Sequence, residues 1–327
     1  MKSFALPAGF EGLDALARRT RHEPLSCDVL PGDVGRRRYV RLFLRDGRTV
    51  LGVFYPEEET DSRRRWTEAR AALRDRVRVP LLIADDHEGS HIVEDFGVLD
   101  LAAMFLQDPA ARGPWLARAV EVAASFAALP DPGVNASFDA AFFRRELELA
   151  REAVFDLYLK EPLSASDRDA HDRWADALAA EVAAHPRALC HRDFHGNNLF
   201  PAGETVGAID FQDLRSGPDA YDLASLLWER TTLDWMTPAA ADAAVEAFAS
   251  VRALPLAPFR ARFDRVLLQR AWKVCGTFAR AVSQGRGESY RRYLPGEVAL
   301  VGRLLGPGPD DAAFRRVYDA RLSPLLN

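Results

Sequence analysis

The residues with the clearest chemical meaning lie in the segment 190–199, which reads Cys-His-Arg-Asp-Phe-His-Gly-Asn-Asn-Leu. It contains Asp193 and, after four intervening residues, Asn198. A second acidic residue, Asp210, lies twelve residues beyond Asn198 in the sequence Ile-Asp-Phe-Gln-Asp. A carboxylate followed by an amide and a second carboxylate is the layout of a phosphoryl-transfer site. The spacing predicts that Asp193 orients and deprotonates a hydroxyl, while Asn198 and Asp210 hold magnesium.

These residue types suit the chemistry because magnesium is a hard cation that prefers oxygen ligands. Asn198 and Asp210 supply such oxygens, and Asp193 is expected opposite them, within hydrogen-bond reach of the acceptor hydroxyl. The residues Pro-Ala-Gly at 201–203 predict a hairpin that brings Asn198 beside Asp210. A lone Asp193 would more often be a turn or cap residue. Three elements in register, each preceded by apolar strand residues, favour the catalytic interpretation.

The first hundred residues predict a β-rich lobe. Short β-rich runs, separated by turn-forming residues, cover Cys27–Leu30, Tyr39–Leu44, Val50–Tyr55, Leu81–Ala84 and His91–Glu94. The Asp46-Gly47 pair between the second and third runs predicts a hairpin. Trp66, Ala69 and Leu73 recur at spacings of three and four, so we expect a helix over Asp61–Arg76.

The remainder of the chain is predicted to be mostly helical. Alanine-rich amphipathic stretches cover Leu99–Phe105, Pro114–Leu129, Phe138–Leu159 and Ser166–Ala184, and helical periodicity returns at Tyr221. The candidate boundary is the joint Glu94-Asp95-Phe96-Gly97. The sequence therefore predicts an α+β protein of two lobes: residues 1–97, a small antiparallel sheet with one main helix, and residues 98–327, larger and helical.

Composition bounds the functional classes. The chain has 327 residues, 48% hydrophobic and 28% charged, with a net charge of -5. This hydrophobic fraction excludes a wholly disordered chain, and the acidic balance disfavours nucleic-acid binding driven by bulk charge. Three scattered cysteines and seven histidines show no spacing typical of a zinc or redox site. No apolar run is long enough for a membrane span, and the N-terminus lacks the apolar stretch of a signal peptide. We expect a soluble cytoplasmic protein whose oligomeric state the sequence leaves open.

The motifs resemble those of the aminoglycoside phosphotransferase and choline kinase superfamily, which shares the protein-kinase-like fold. The family pattern His-Gly-Asp-Leu-His-x-x-Asn corresponds to His191–Asn198, and its Ile-Asp-Trp/Phe to Ile209–Phe211. The downstream Gly-Pro-x-x-x-Asp-Leu-Ala corresponds to Gly217–Ala224, where Asp222 is expected to brace the catalytic loop. His191 is expected to be a buried scaffold of that loop, and His195 to be structural.

A closer resemblance is to the bacterial anomeric sugar kinases of cell-wall recycling. Their N-terminal loop, Ser-Asp-Ala-Ser-x-Arg-Arg-Tyr, has the shape of Gly32–Tyr39, and their Leu-Glu-Asp-Leu-Gly joint is similar to Val93–Gly97. The resemblance implies a kinase that uses ATP and magnesium and phosphorylates the 1-hydroxyl of N-acetylmuramate and N-acetylglucosamine. It therefore implies a small-molecule sugar substrate.

The resemblance also implies a nucleotide site. In such folds the loop between the first two strands covers the phosphates, where Gly32 and Gly35 would let the backbone approach and Arg37 or Arg38 would add charge. A plain hairpin turn with solvated arginines is the alternative. Residues Glu94, Asp95 and Phe96 would supply backbone contacts to adenine.

One feature departs from most kinases. Their third strand carries a lysine that contacts the phosphates, whereas the run Val50–Tyr55 contains none. Arg38 or Arg41 on the second strand is a candidate substitute, and weak or lost nucleotide binding is the alternative. Glu68 is at the position where the partner of that lysine would lie. Because the lysine is absent, we expect Glu68 to be an exposed charge on the surface of its helix.

The acceptor is less well defined by the sequence. Trp228, Arg230 and Trp235 are candidates for binding a sugar, by stacking and by hydrogen bonds, although a core role is favoured for both indoles. Protein kinase activity is disfavoured because no Ala-Pro-Glu segment follows Asp210 and Gln212 replaces the glycine of Asp-Phe-Gly. The alternatives are a kinase of an aminoglycoside or a choline-like metabolite, and a regulatory pseudokinase that binds nucleotide.

Overall fold

The computed structural model describes residues 4–31, 36–285 and 287–326. In chain order, its strands are β1 (Pro24–Leu30), β2 (Arg38–Leu44), β3 (Thr49–Phe54), β4 (Leu82–Asp85), β5 (Ser90–Glu94), β6 (Arg187–Cys190), β7 (Leu199–Ala202), β8 (Thr205–Ala208) and β9 (Arg215–Pro218). Its helices are α1 (Glu11–Arg19), α2 (Thr60–Leu73), α3 (Leu101–Gln107), α4 (Arg112–Ala127), α5 (Ala140–Arg151), α6 (Ala165–Ala183), α7 (Tyr221–Leu227), α8 (Pro238–Val251), α9 (Leu256–Ser283), α10 (Glu288–Arg291), α11 (Leu294–Leu304) and α12 (Pro309–Arg321).

Five strands form one antiparallel sheet in the order β1-β2-β3-β5-β4. Strands β2 and β3 pair across the turn at Gly47, whose φ of +80° suits glycine, and the predicted hairpin is confirmed. Alternate residues of a strand face opposite sides of a sheet. Accordingly, Val40 and Leu42 of β2 are fully buried in a hydrophobic core, whereas Arg41 lines a cavity on the other face.

Helix α1 covers the apolar face of this sheet and has no counterpart in the sequence prediction. Its Leu13 and Leu16 belong to the same buried cluster as Val40 and Ile92. The contact is close, because a Cβ added at Gly52 of β3 would overlap the Leu13 side chain. A helix of nine residues carries too few turns for a clear periodic signal. Its stability therefore depends on this tertiary contact.

Helix α2 confirms the main helix that the sequence predicts for the first lobe. Its buried Trp66 stacks on Phe211, with ring centroids 5.6 Å apart and planes inclined by 30°. Glu68 is exposed and forms an ion pair with Arg64 one turn away, which agrees with the expected surface charge.

Two short ladders lie outside the five-stranded sheet. Strands β7 and β8 form the predicted hairpin around Gly203, whose φ is +70°. Strand β6 pairs antiparallel with β9, from Arg187 opposite Pro218 to Cys190 opposite Arg215. This second ladder is absent from the sequence prediction, because its two strands are separated by residues 191–214 and not joined by a short turn.

The chain forms two compact units, residues 1–115 with 196–214 and residues 116–195 with 215–327. The first unit extends beyond the predicted boundary at residue 97 because α3 contacts the loop before β7. A Cβ added at Gly196 would lie only 2.9 Å from the backbone nitrogen of Ala102. The units therefore differ from the predicted lobes, 1–97 and 98–327, and the lobe boundary stays a prediction.

The second unit is built around α9, a helix of 28 residues that contacts α5, α6, α7, α8 and α11. Its Trp272 lies in an aromatic core with Trp174 and Phe314, whose rings stack at a centroid distance of 4.1 Å. With an antiparallel sheet in one unit and mostly helices in the other, the predicted α+β class is confirmed. Within the described ranges, no helix is both long and apolar enough to cross a membrane.

We expect Gly276→Ala to destabilise the protein by about 1–3 kcal/mol, because the new Cβ would overlap the backbone of Ala150 where α9 crosses α5. The matched control is Gly113→Ala in α4, where a Cβ meets no atom within 4 Å. That change should stabilise by up to about 1 kcal/mol through helix propensity. Urea unfolding measures both free energies, and equal effects at the two sites would contradict the close crossing.

Candidate active site

The first unit contains a cavity of about 310 Å³ on the sheet face opposite α1. Its apolar wall includes Leu51, Val53 and Phe200, and its edge is the joint Glu94–Gly97. Its polar groups include Arg37, Asn198 and Asp210. A mostly apolar cleft of this size with a few polar groups suits a small ligand.

Asn198 and Asp210, the predicted metal ligands, are both on the wall of this cavity. The β7–β8 hairpin brings their backbones together, and the Ile209 N–H donates to the Asn198 carbonyl oxygen at 3.0 Å. The Asp210 backbone is left-handed, with a φ of +62°. One carboxylate oxygen, Oδ1, accepts hydrogen bonds from Gln212 at 2.7 Å and Arg37 at 3.4 Å. An amide and a carboxylate at one cavity wall match the oxygen ligands that magnesium prefers.

Arg37 is the arginine that the structure brings to this pair. Its side chain is only 18% exposed and forms the ion pair with Asp210. The neighbouring Arg38 lies on the other sheet face, with its guanidinium over the rings of Phe10 and Phe54. Arg38 therefore lies on the face opposite the cavity, because consecutive residues of an extended chain point to opposite faces, and its contact with a nucleotide stays a prediction. The predicted loop glycines Gly32 and Gly35 lie outside the described residues.

The joint Glu94–Gly97 also lines the cavity, but its acidic side chains are held in ion pairs. Asp95 accepts two hydrogen bonds from Arg41, at 2.6 and 3.0 Å, and Glu94 pairs with Arg78. Burial opposes ionisation of Asp95, yet the hydrogen bonds from Arg41 hold its pKa below its usual range. Because Arg41 is so engaged, it is a poor substitute for the missing strand lysine. Because the acidic side chains of this joint are engaged in ion pairs, its main-chain N–H and C=O groups are the ones that could hydrogen-bond to a ligand.

In the second unit, the loop after β6 carries Asp193 and is held by Asp222. The Asp222 carboxylate, at the start of α7, accepts the backbone N–H of His191 at 2.5 Å and that of Arg192 at 3.0 Å. This confirms the predicted brace. The His191 ring is fully buried and meets the rings of Phe126 and Phe194 edge-on, as expected of a scaffold residue.

Asp193 is half-buried in a positively charged environment. Burial alone would raise its pKa, but the nearby charges of Lys273 and Arg192 lower the pKa below the usual value for aspartate. Asp193 is therefore ionised at neutral pH. Burial lowers the pKa of His195 to about 4, so its ring is neutral at pH 7, which agrees with a structural role.

Arg192 departs from the family pattern, which has glycine at this position. Its φ is +83°, in a region that residues with a Cβ rarely adopt. The glycine of the family pattern is thus explained by backbone geometry, and Arg192 is strained by about 1–3 kcal/mol. Strain of this kind is found preferentially at functional sites.

The three candidate acceptor residues differ in the contacts that they make. Trp228 lines a separate cavity of about 140 Å³ with Asp242 and Arg260. Trp235 is half-buried, and its indole N–H donates to the Thr231 carbonyl oxygen at 2.8 Å. Arg230 is an electrostatic neighbour of His195 and donates to the Tyr290 hydroxyl at 2.6 Å. Arg230 is therefore placed near the loop that carries Asp193.

The structure also identifies site residues that sequence reasoning missed. Trp66 and Tyr55 line the cavity of the first unit, and Lys273 lies beside Asp193. Gln212 was also missed, but the sequence does contain a signal for it, because it lies in the motif around Asp210. The others lie in strands or helices whose composition does not distinguish a cavity wall from a core.

Solved structures share this fold. The ADP-bound aminoglycoside phosphotransferase APH(2'')-Ib aligns over 94% of this chain and 99% of its own, with a TM-score of 0.61 and 12% identity. An ethanolamine kinase of Plasmodium vivax aligns over 95% of this chain and 88% of its own, with a TM-score of 0.60 and 12% identity. The predicted protein-kinase-like fold is thereby confirmed, and fold and motifs together define a kinase-like phosphotransferase.

Residues 26–263 match the model of the phosphotransferase enzyme family, and the chain belongs to this family. It is similar to the N-acetylmuramate/N-acetylglucosamine kinase of Neisseria meningitidis, with 29% identity over 273 residues, 80% of each chain. The protein of the same name from Pseudomonas aeruginosa is 29% identical over 260 residues, 76% of this chain and 73% of its own. The chain is therefore a phosphotransferase with an alcohol group as acceptor.

We expect Arg192→Gly to be more stable than Arg192→Ala by about 1 kcal/mol. Both changes remove the side chain, but only glycine adopts the left-handed backbone without strain. The control is the exposed helical residue Arg173, where alanine should be more stable than glycine by a similar amount. Urea unfolding of the four variants measures both differences, and the same sign at both positions would contradict the strained backbone at Arg192.

Proposed function

We propose that the protein is an ATP- and magnesium-dependent sugar kinase that transfers the γ-phosphate to the anomeric 1-hydroxyl of N-acetylmuramate or N-acetylglucosamine. The observation that carries the proposal is the wall of the first unit's cavity, which joins Asn198, Asp210 and Arg37 beside the joint Glu94–Gly97. The names of the similar kinases support the choice of sugar. A kinase of this kind would serve the recycling of cell-wall sugars in the cytoplasm.

The cavity of the first unit would hold the nucleotide. Backbone groups of Glu94, Asp95 and Phe96 would contact adenine, since the acidic side chains are engaged elsewhere. Leu51 and Val53 would offer an apolar surface to the base. Arg37 would bring positive charge to the phosphates, in place of the lysine that the third strand lacks.

Asn198 and Asp210 would hold magnesium through their side-chain oxygens. The donor set fits this ion, because Oδ1 of Asp210 is oriented by Gln212 and Arg37 while the carboxylate keeps a second oxygen. Bound magnesium would neutralise negative charge on the phosphate oxygens.

Asp193 would act as the base. Its carboxylate accepts the proton of the acceptor hydroxyl as the sugar oxygen bonds to the γ-phosphorus, and the bond from that phosphorus to the oxygen of the leaving ADP breaks. Because its pKa is held low, Asp193 is ready as an acceptor throughout the neutral pH range. Asp222 would keep it in place by fixing the two preceding backbone N–H groups.

The charges around Asp193 argue against a cationic acceptor. Lys273, Arg192 and Arg270 all lie near this carboxylate and would repel an aminoglycoside or a choline-like metabolite. The same observation weakens the pseudokinase alternative, because cations that keep a half-buried carboxylate ionised are typical of a functional site.

The direct test is ADP release by the purified protein with Mg-ATP and each of N-acetylmuramate, N-acetylglucosamine, glucose and an aminoglycoside. We expect turnover with the two N-acetyl sugars. Asp193→Asn should lower kcat by about a thousandfold, because the amide cannot accept the proton. Release of ADP with none of the sugars would overturn the proposed substrate class. Near-normal turnover by Asp193→Asn would overturn the role of Asp193.

Nucleotide binding is tested without turnover, by thermal unfolding. Mg-ATP at about a hundred times its Kd should stabilise the wild type by about 2.7 kcal/mol, a shift of several degrees in Tm. Asp210→Asn should show less than half of this shift, because an amide binds magnesium more weakly than a carboxylate. Asp75→Asn, a change at an exposed residue of the same unit, is the control and should match the wild type. No shift of the wild type at millimolar Mg-ATP would contradict the proposed nucleotide site.

A further inference from the structure

Helix α9 presents polar side chains to the interior of the second unit. Gln269, Arg270 and Lys273 lie within little more than one helical turn of one another. Gln269 and Arg270 are 0% and 6% exposed. Burying such groups costs free energy unless each is hydrogen-bonded. The hydrogen-bond partners of these side chains therefore indicate whether this part of α9 has a structural role or a binding role.

The partners within the described chain are incomplete. The Gln269 amide nitrogen donates to Glu146 at 2.9 Å, but its buried Oε1 has no hydrogen-bond donor among the described residues. Arg270 donates to the Ser225 hydroxyl at 2.7 Å and lies over the Tyr221 ring, 4.5 Å from the centroid. Its buried Nε and Nη1 have no acceptor in the described ranges. Unsatisfied donors on a buried cation are costly, and a bound anion would satisfy them.

Lys273 is unusual in this sequence. The chain has 43 Lys and Arg residues, of which only Lys2, Lys160 and Lys273 are lysines. Lys273 is half-buried, and no carboxylate in the described part of the chain forms an ion pair with its ammonium. Burial lowers the pKa of its ammonium, as do the charges of Arg270 and Arg192, whereas Glu146 and Asp193 favour the charged form. A cation in this position, one turn from Arg270 and beside the proposed base, is placed to meet the acceptor.

Besides Asp222, a second buried carboxyl near Arg270 is that of Glu297. Burial raises the pKa of Glu297 to about 8, so its carboxyl is mostly neutral at pH 7. Its buried Oε1 has no hydrogen-bond partner among the described residues, in keeping with the uncharged form. Glu297 therefore adds no full negative charge to the carboxylates of Glu146, Asp193 and Asp222, which lie near Arg270 and Lys273.

We propose that Arg270 and Lys273 of α9 bind a carboxylate carried by the acceptor sugar, and that Gln269 receives a hydrogen bond from an N–H or O–H group of the same molecule. The inference rests on the proposed function and deepens it, because it assigns the discrimination between acceptors to this helix. N-acetylmuramate differs from N-acetylglucosamine by a lactyl ether that ends in a carboxylate. Comparing the two sugars therefore measures the effect of the carboxylate that α9 would bind.

The test is the ratio of kcat/KM for N-acetylmuramate to that for N-acetylglucosamine. Lys273→Met keeps the length of the side chain and removes its charge, and we expect this ratio to fall at least tenfold, mainly through a higher KM for N-acetylmuramate. Lys273→Arg should restore most of the ratio, because it returns the cation. The matched control is Lys160→Met, a change at an exposed lysine of the same unit, which should leave the ratio unchanged.

If Lys273→Met lowered kcat/KM equally for both sugars, the inference would be overturned, because Lys273 would then act on the transferred phosphoryl group or on Asp193. An unchanged ratio would overturn it as well. Thermal unfolding checks that Lys273→Met is folded. If Lys273→Met is unfolded, Lys273→Gln takes its place in the test. If neither variant folds, Lys273 has a structural role and the inference is overturned. A wild type that phosphorylates neither sugar would instead refute the proposed function, so the two failures are distinguishable.

Discussion

The loop that carries Asp193, the proposed base, depends on one buried carboxylate. Asp222 accepts the backbone N–H groups of His191 and Arg192, and in doing so holds a segment whose second residue is in a left-handed conformation. Burial raises the pKa of Asp222, while these backbone hydrogen bonds favour its charged form. The backbone strain at Arg192 is thus offset by hydrogen bonds to Asp222, which are strong because they are buried away from water. The position of Asp193, the next residue, follows from this arrangement.

A second constraint is the distribution of charge. In the first unit, acidic side chains at the cavity edge are held by arginines: Asp95 by Arg41 and Glu94 by Arg78. In the second unit, cations of α9 and of the catalytic loop lie near Asp193 and keep it ionised despite its burial. The formal charge of -5 predicted neither feature, because a sum over the chain contains no information about which charges lie together. Both features suit a reaction that moves negative charge between two substrates.

Much of the site was predictable from local sequence. The order of Asp193, Asn198 and Asp210, and the turn residues at 201–203, predict the hairpin that places Asn198 beside Asp210, because a hairpin joins residues close in sequence. Helix α1 and the β6–β9 ladder were not predictable in the same way. Each is short, and its stability comes from contacts with residues far along the chain. The sequence also left Arg37 and Arg38 as alternatives, since neighbouring residues of an extended chain point to opposite faces and composition does not say which face bears the cavity.

By itself, the sequence determined the fold class and the family, and it predicted the residues proposed to perform phosphoryl transfer, because these depend on periodicity and on motifs whose members are close together. Only the tertiary structure decided which cations accompany them. Arg37 is 173 residues from Asp210 along the chain yet forms an ion pair with it. Lys273 lies in a helix of unremarkable composition, 80 residues beyond Asp193. Electrostatic interaction depends on distance and burial in space, which the linear order of residues does not contain.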